Sequence, residues 1–381
     1  MHGGSLMGSP KFYVASPLGD RTAGPEALTQ LVDAIRRRGI EAYLIPMVNF
    51  RGRRNDPEYD IYDFEVAEEI VDPENSHFVL SEVSPIESYR ELKKIPRERT
   101  WMGWFSVNNS PDPRARYFRP SENCCSTFPP GFIPEVPAVP ADFHLDSGIN
   151  SGVLQTIREA KKRVGGANLG KAKAVATEAV SIAYAQRVVN SDINFFAQSF
   201  YGQGFVRQIL GKDAPIITDP IRIVEVPNVQ RARNVVLYNK VKSWSLIPDV
   251  MKLMPNVEFR AIEGMSYQQV VEALSTATVY LELGHLPGRD RMPREAAHFG
   301  TPVVCLARGA GYCWQDVPLP VNYRIGYREG WADQTAIALQ RVLDDPSQAA
   351  IDQIDYRQWV AGERDRYETA IDQWLELALV R

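Results

Sequence analysis

Short apolar runs alternate with amphipathic stretches along much of the chain. Residues 11–15 form the first apolar run, closed by Ser16-Pro17-Leu18-Gly19. Gly24-Pro25-Glu26 then opens a helix whose apolar side carries Leu28, Leu31, Val32 and Ile35, the spacing of one helical face. Gly39 ends it, and residues 41–46 return as a strand. Residues 77–81 and 99–107 predict two further strands, which end in Glu82-Val83-Ser84-Pro85 and Asn108-Asn109. Residues 194–198 predict a strand and 200–210 a helix. From residue 234 the rhythm is regular. Strands are expected over 234–238, 257–262, 279–283 and 301–306, and helices over 245–254, 266–275 and 290–300. Ser266 and Asp290 stand where helix N-caps belong, Pro293 fits a first turn, and Gly300 is a stop signal. Residues 333–343 and 356–379 predict two last helices, the second one long.

Where the rhythm fails, the chain divides. Residues 51–60 are polar and read as a mobile loop over a cleft. Residues 111–140 are rich in proline and aromatics, and a loop of that length is uncommon unless it serves a function. Residues 152–189 read as largely helical and carry a basic cluster of Lys161, Lys162, Arg163, Lys171 and Lys173. Residues 224–232 are extended and polar and suit an interdomain linker. The expected plan is therefore a flexible N-terminus over 1–10 and a first βα unit over 11–225 with an insertion near 111–190. A second βα unit over 226–355 follows, and a terminal helix over 356–381 closes the chain. Runs of covered parallel strands with helices between them mean α/β architecture, and ligands of such sheets lie at the carboxyl ends of the strands. Glu82 and Asn108 stand at such ends.

Composition narrows this only a little. The 381 residues are 44% hydrophobic and 24% charged, an ordinary globular balance. A net charge of −4 argues against a dedicated nucleic-acid surface, which needs clustered cations. Cys124, Cys125, Cys305 and Cys313 show no metal-ligand spacing and are expected as reduced thiols. No apolar run is long enough to span a bilayer. The first ten residues lack a signal peptide's apolar core, so a cytoplasmic protein is expected.

Candidate chemistry concentrates between residues 284 and 295. Gly284, Pro287 and Gly288 break regular structure, and Arg289, Asp290, Arg291, Arg294 and Glu295 follow at a helix start. Three arginines beside helix amides suit a phosphate or diphosphate, and a carboxylate one turn in can accept two bonds from a ribose diol. A salt-bridged, solvated helix start is the plainer alternative.

The run Gly-Arg-Asp-Arg-Met-Pro-Arg-Glu-Ala-Ala, followed by Gly-Thr-Pro-Val-Val, resembles the donor-binding segment of GT-B glycosyltransferases, notably the family 4-like group. The resemblance implies two Rossmann-like doubly wound domains facing across a cleft, with a C-terminal helix crossing back. Glu295 matches the acidic residue that holds the nucleotide ribose. The family's other glutamate, eight positions earlier, is replaced by Pro287; Asp290 or Glu282 would have to substitute. Lys240 and Lys242 match approximately the basic loop that reaches the donor pyrophosphate. Gly24-Pro25-Glu26-Ala27-Leu28 resembles the glycine loop that faces the cleft, with Gly19 nearby, although Gly24 and Pro25 equally start a plain helix. Gly288 and Arg289 complete the expected donor site.

The function implied is transfer of a sugar from a nucleoside-diphosphate sugar, a UDP- or GDP-sugar, to an acceptor hydroxyl of a glycan or polysaccharide precursor. No other cofactor is expected. Nor is a metal, since lysines, arginines and helix amides would supply the positive charge. Glu82, Asn108 and His285 are the catalytic candidates; the family leans toward retention, and no residue decides it. Three alternatives stay open. One is a DNA-modifying transferase acting on a hypermodified pyrimidine, with nucleic acid as an acceptor that the net charge disfavours. Another is a sugar-nucleotide epimerase of the same fold. The last is a nucleotide-sugar-binding protein without turnover. The basic cluster also leaves peripheral membrane contact open.

Overall fold

The computed structural model describes residues 10–20, 22–47, 54–83, 94–110, 115, 118, 192–225 and 231–380. The expectations for residues 1–9, 51–53, 111–114, 119–140, 152–189 and 226–230 lie outside these, including Cys124, Cys125, the 161–173 basic cluster and the middle of the linker.

Two five-stranded parallel sheets carry the fold. The first is built from β1 (Lys11–Ser16), β2 (Ala42–Pro46), β3 (Ser76–Ser81), β4 (Thr100–Trp104) and β5 (Asn194–Ala197), in the order β2-β1-β3-β4-β5. The second contains β6 (Val235–Asn239), β7 (Glu258–Ile262), β8 (Val279–Glu282), β9 (Val303–Ala307) and β10 (Arg324–Gly326), in the order β10-β9-β8-β6-β7. All pairings are parallel. The middle strands are buried along their length, as covered parallel strands must be.

The helices follow the apolar spacing. They are α1 (Ala23–Arg36), α2 (Phe200–Phe205), α3 (Lys240–Ser243), α4 (Ile247–Leu253), α5 (Tyr267–Thr276), α6 (Arg291–His298), α7 (Trp331–Asp344), α8 (Pro346–Asp352), α9 (Ile354–Ala361) and α10 (Glu363–Leu379). Ser266 caps α5 through a capping box with Gln269, which satisfies two otherwise orphaned amides. Gly300 closes α6 in the left-handed region, φ +73°, which glycine adopts without steric cost.

Helix α10 crosses back onto the first sheet. Its buried residues Tyr367, Ile371, Trp374, Leu375 and Ala378 recur at helical spacing. The Trp374 ring lies 5.5 Å from Phe12, 5.4 Å from Trp101 and 5.8 Å from Phe196, all in the first sheet. Arg37 and Arg38, just past α1, reach Glu368 at 3.0 Å each, and Arg38 reaches Asp372 at 2.6 Å.

Several local expectations are corrected. The long terminal helix is broken at Gly362, a poor helix former, and the break turns Glu363 inward. The loop after β6 is a short helix, since Asn239 caps it by accepting from the Lys242 amide at 3.1 Å. The fourth strand ends at Trp104 rather than Val107. Strand β10 is an addition. The described part of 51–60 is packed down: Tyr59 is buried with its hydroxyl 2.9 Å from Thr22 O, and Asn55 donates to Thr29 Oγ1 at 2.9 Å.

Candidate functional site

The carboxyl-end loops of the two sheets meet each other. Val107 N donates to Pro287 O at 2.8 Å, and Arg289 N to Gln198 Oε1 at 3.1 Å. His285 Nε2 lies 2.6 Å from Asn108 Oδ1. The approach at Gly288 is so close that a Cβ would stand 1.9 Å from Phe105 O, which explains the glycine. Asp316, from the second half, accepts the Phe200 and Tyr201 amides at 2.9 Å each and so caps α2 of the first. Burial pushes its pKa up to about 6, against the pull of Arg289 and those two amides.

The three arginines converge here, each on carboxylates of the protein itself. Arg289 Nη2 lies 2.6 Å from Glu363 Oε1, and its guanidinium stacks 4.3 Å over the Trp359 ring. Arg291 pairs with Asp219 at 3.1 Å and with Glu26 of α1. Arg294 makes five contacts: Asp219 O, Asp219 Oδ1, Glu363 Oε2, Arg289 O and Asp290 O, at 2.7 to 3.2 Å. A guanidinium has five N–H donors, so Arg294 is saturated in this arrangement. Arg291 Nη2 and Arg289 Nε are buried and have no partner among the described residues.

Lys242, on α3 at the end of β6, is placed differently. Its side chain passes over Gly284, where a Cβ would stand 2.6 Å from its own Cβ, and its ammonium pairs with Asp290. Burial disfavours its charge, but Asp290 and Glu282 outweigh that and hold its pKa above the ordinary value. Asp290 occupies the N-cap position of α6 yet does not cap it, because its carboxylate is turned to Lys242. Glu282 is fully buried and accepts from Gly284 N and Tyr280 Oη at 2.8 Å each. Lys240 is exposed and pairs with Glu263 at 2.6 Å.

Glu295 lies one turn into α6, buried, beside Arg291 and Arg294. Burial pushes its pKa up and the two arginines offset only part of this. Glu26 is the reverse case: burial opposes its charge, but Arg291 and Arg222 prevail and hold it below the usual carboxylate range. Arg222 reaches Glu26 at 2.6 Å and lies between the Tyr59 and Tyr267 rings, 5.6 and 4.9 Å from their centres.

No family model and no curated protein matches the sequence. Solved structures do match in three dimensions. A sucrose-phosphate synthase from Thermosynechococcus elongatus superposes with a TM-score of 0.60 over 96% of this chain and 98% of its own, at 11% identity. The fold is GT-B. WaaG, a glycosyltransferase involved in lipopolysaccharide biosynthesis, superposes with a TM-score of 0.50 at 11% identity, over 95% of this chain and 99% of its own. Among the described residues no helix is long and apolar enough to cross a membrane, and no group of His, Cys, Asp and Glu is placed to hold a metal ion.

The sequence-based donor residues Lys242, Gly288, Arg289, Asp290, Arg291, Arg294 and Glu295 fall at one junction between the two sheets, with Glu26 opposite. Gly19, at φ +85°, and Gly24, with open space beside it, stay at the β1–α1 turn and enter none of these contacts. Of the catalytic candidates, Glu82 is fully buried, and its two oxygens accept the Phe105 and Ser106 amides at 3.0 and 2.7 Å. It shapes the loop after β4. Burial, only partly offset by these amides, pushes its pKa up to about 7. Asn108 donates to Ala115 O at 2.8 Å, which fixes its amide so that Oδ1 faces His285. The His285 Nε2 therefore carries the proton and donates. Sequence reasoning missed Asp219, Glu363, Gln198 and Arg222 as parts of the junction. Of these, only the Asp219-Pro220 step carries a local signal, that of an element boundary.

Proposed function

We propose that the protein is a nucleotide-sugar-dependent glycosyltransferase that moves a sugar from a UDP- or GDP-sugar to the hydroxyl of a glycan acceptor. The observation that carries this reading is Lys242 lying over Gly284 at the carboxyl edge of the second sheet, inside a GT-B fold. That edge is where open α/β sheets take nucleotides. Lys242 would exchange Asp290 for the donor diphosphate, with Lys240 as an outer cation and the unpartnered Nη2 of Arg291 as a further donor. Glu295 would take the ribose diol. The positive charge that a metal would otherwise bring to the leaving diphosphate comes from these side chains, so the reaction is proposed as metal-independent. We propose a cytoplasmic location, which the buried Cys305 and Cys313 thiols, neither in a disulfide, would suit.

A second reading, donor binding without turnover, is favoured by one observation. Pro287 stands where the family carries its first glutamate, and the nearby Glu282 is held internally by Tyr280 and Gly284.

A thermal-shift screen of the full chain against UDP, GDP, dTDP, CDP and ADP, with and without EDTA, tests the proposal. A nucleotide at ~100 times its dissociation constant adds roughly 2.7 kcal/mol of stability. A selective shift that survives EDTA and is lost in Glu295→Ala is the expected result. Absence of a shift with all five nucleotides overturns the reading, and slow hydrolysis of the matching nucleotide sugar separates a transferase from a binder.

A further inference from the structure

Arg231 and Arg357 meet at a bare turn on the edge of the second sheet opposite Lys242. Arg231 precedes β6, and its neighbours Ala277 and Thr301 precede β8 and β9, so the place lies at the amino ends of these strands. Arg231 Nη1 donates to Ala277 O at 3.1 Å and Thr301 Oγ1 at 2.5 Å, and its Nη2 donates to Phe299 O at 2.6 Å. Arg357 reaches the same turn from α9. A Cβ on Gly300 would lie 3.3 Å from Arg231 Nη2 and 3.3 Å from Arg357 Nη1. The two nitrogens are therefore no more than twice that distance apart.

This pairing is unlike the contacts of the three arginines between residues 289 and 294. Arg289, Arg291 and Arg294 each face a carboxylate. Arg231 faces another guanidinium: burial first, and then the charge of Arg357, hold its pKa below the ordinary value, and no described carboxylate acts on it. Two like charges this close repel unless an anion lies between them. The carbonyl end of α6 contributes about half a negative charge, too little to balance two guanidiniums. A Cβ on Gly300, at φ +73°, would press on both guanidiniums, so the glycine is what lets them come this close at the turn.

We propose that Arg231, Arg357 and the Gly300 turn form a second anion site that takes a phosphate group. The donor fork of Arg357, with the second Nη2 hydrogen of Arg231, matches the oxygens of a tetrahedral phosphate, and the exposed position of Arg357 gives it a way in. The site lies away from the nucleotide cleft and does not depend on the transferase reading. Free phosphate and a phosphomonoester share the chemistry that would be recognised.

Calorimetric titration of the full chain at constant ionic strength tests this, with inorganic phosphate and phenyl phosphate as separate probes in chloride buffer. Saturable binding is expected, weakened at least tenfold in Arg357→Gln, as loss of a charge-assisted contact implies. Lys242→Ala should bind phosphate here as the parent does. Arg357 is exposed, so Arg357→Gln should melt within about a degree of the parent, as surface substitutions do. Arg357→Lys, which keeps the charge, should retain part of the affinity. Tighter phenyl phosphate would assign the site to a phosphorylated ligand, tighter inorganic phosphate to the free ion. No saturable heat up to roughly 10 mM, or equal affinity in Arg357→Gln, overturns the proposal.

Discussion

Glu363 Oε2 lies 2.9 Å from Arg294 Nη1, a contact between residues 69 apart in the chain that ties the terminal helix to the helix after β8. Its other oxygen holds Arg289 at 2.6 Å, and all three side chains are almost wholly buried. One carboxylate thus bridges two guanidiniums in the interior, with Asp219 as the second anchor of Arg294.

Replacing Glu363 with alanine would strand both arginines. Breaking a buried pair in this way costs about 3–5 kcal/mol. A melting temperature lower by roughly 5 °C is expected for Glu363→Ala. A melt unchanged within a degree or two would mean that the arginines find other partners.

Glu82 makes stability depend on pH. Its folded pKa of about 7 exceeds the ordinary 4.5, so the folded state holds the proton more tightly. The contribution is fully present below pH 4.5 and is lost as pH rises through 7. Melting temperatures of the parent should fall across this interval by more than those of Glu82→Gln. Parallel profiles for the two proteins would remove Glu82 as the source.

Gly288→Ala drives a methyl into Phe105 O across the junction between the halves. The backbone must move apart, and overpacking of this kind costs about 1–3 kcal/mol or more. Hydrogen exchange should accelerate at residues 105–109 and 284–290. Unchanged exchange there, in a stable variant, would contradict the close approach.

Lys242→Ala should weaken binding of the preferred nucleoside diphosphate by tenfold to a hundredfold, the range expected for a lost charge-assisted contact. Lys240→Ala, at an exposed and screened position, should change it much less. Equal losses in the two variants would place the diphosphate nearer the solvent edge than proposed.

Trp374→Ala should cost about 3–5 kcal/mol, because the ring is fully buried among Phe12, Trp101 and Phe196. The loss should appear in the first half: fluorescence and amide exchange of residues 11–16 and 100–104 report it. A purely local fraying of the terminal helix would argue that α10 adds little to the first sheet.

Much of the architecture was legible because it is written in local periodicity. Nine of the ten described strands overlap runs that the apolar pattern marks, such as 279–283 and 301–306. The exception is β10, three residues long and too short to show a pattern. The Gly362 break was hidden for a related reason: apolar residues keep helical spacing on both sides of it. The cluster from Arg289 to Glu295 could be read as chemistry, but its partners could not. Asp219 and Glu363 lie about seventy residues away on either side, and nothing local in an Asp-Pro step or a helix-start glutamate announces a guanidinium at 3 Å. Asp290 shows the same limit. Its position is that of a cap, and only the fold reveals that Lys242 claims its carboxylate.

The junction draws Glu26, Asp219, the 289–295 segment, Asp316 and Glu363 from separate stretches of chain, so no fragment shorter than residues 26–363 contains it. A chimera that joined this second half to the first half and tail of a different GT-B protein would bring three arginines without their acids. The two halves are therefore not interchangeable cassettes, and a change of partner in one must be matched in the other.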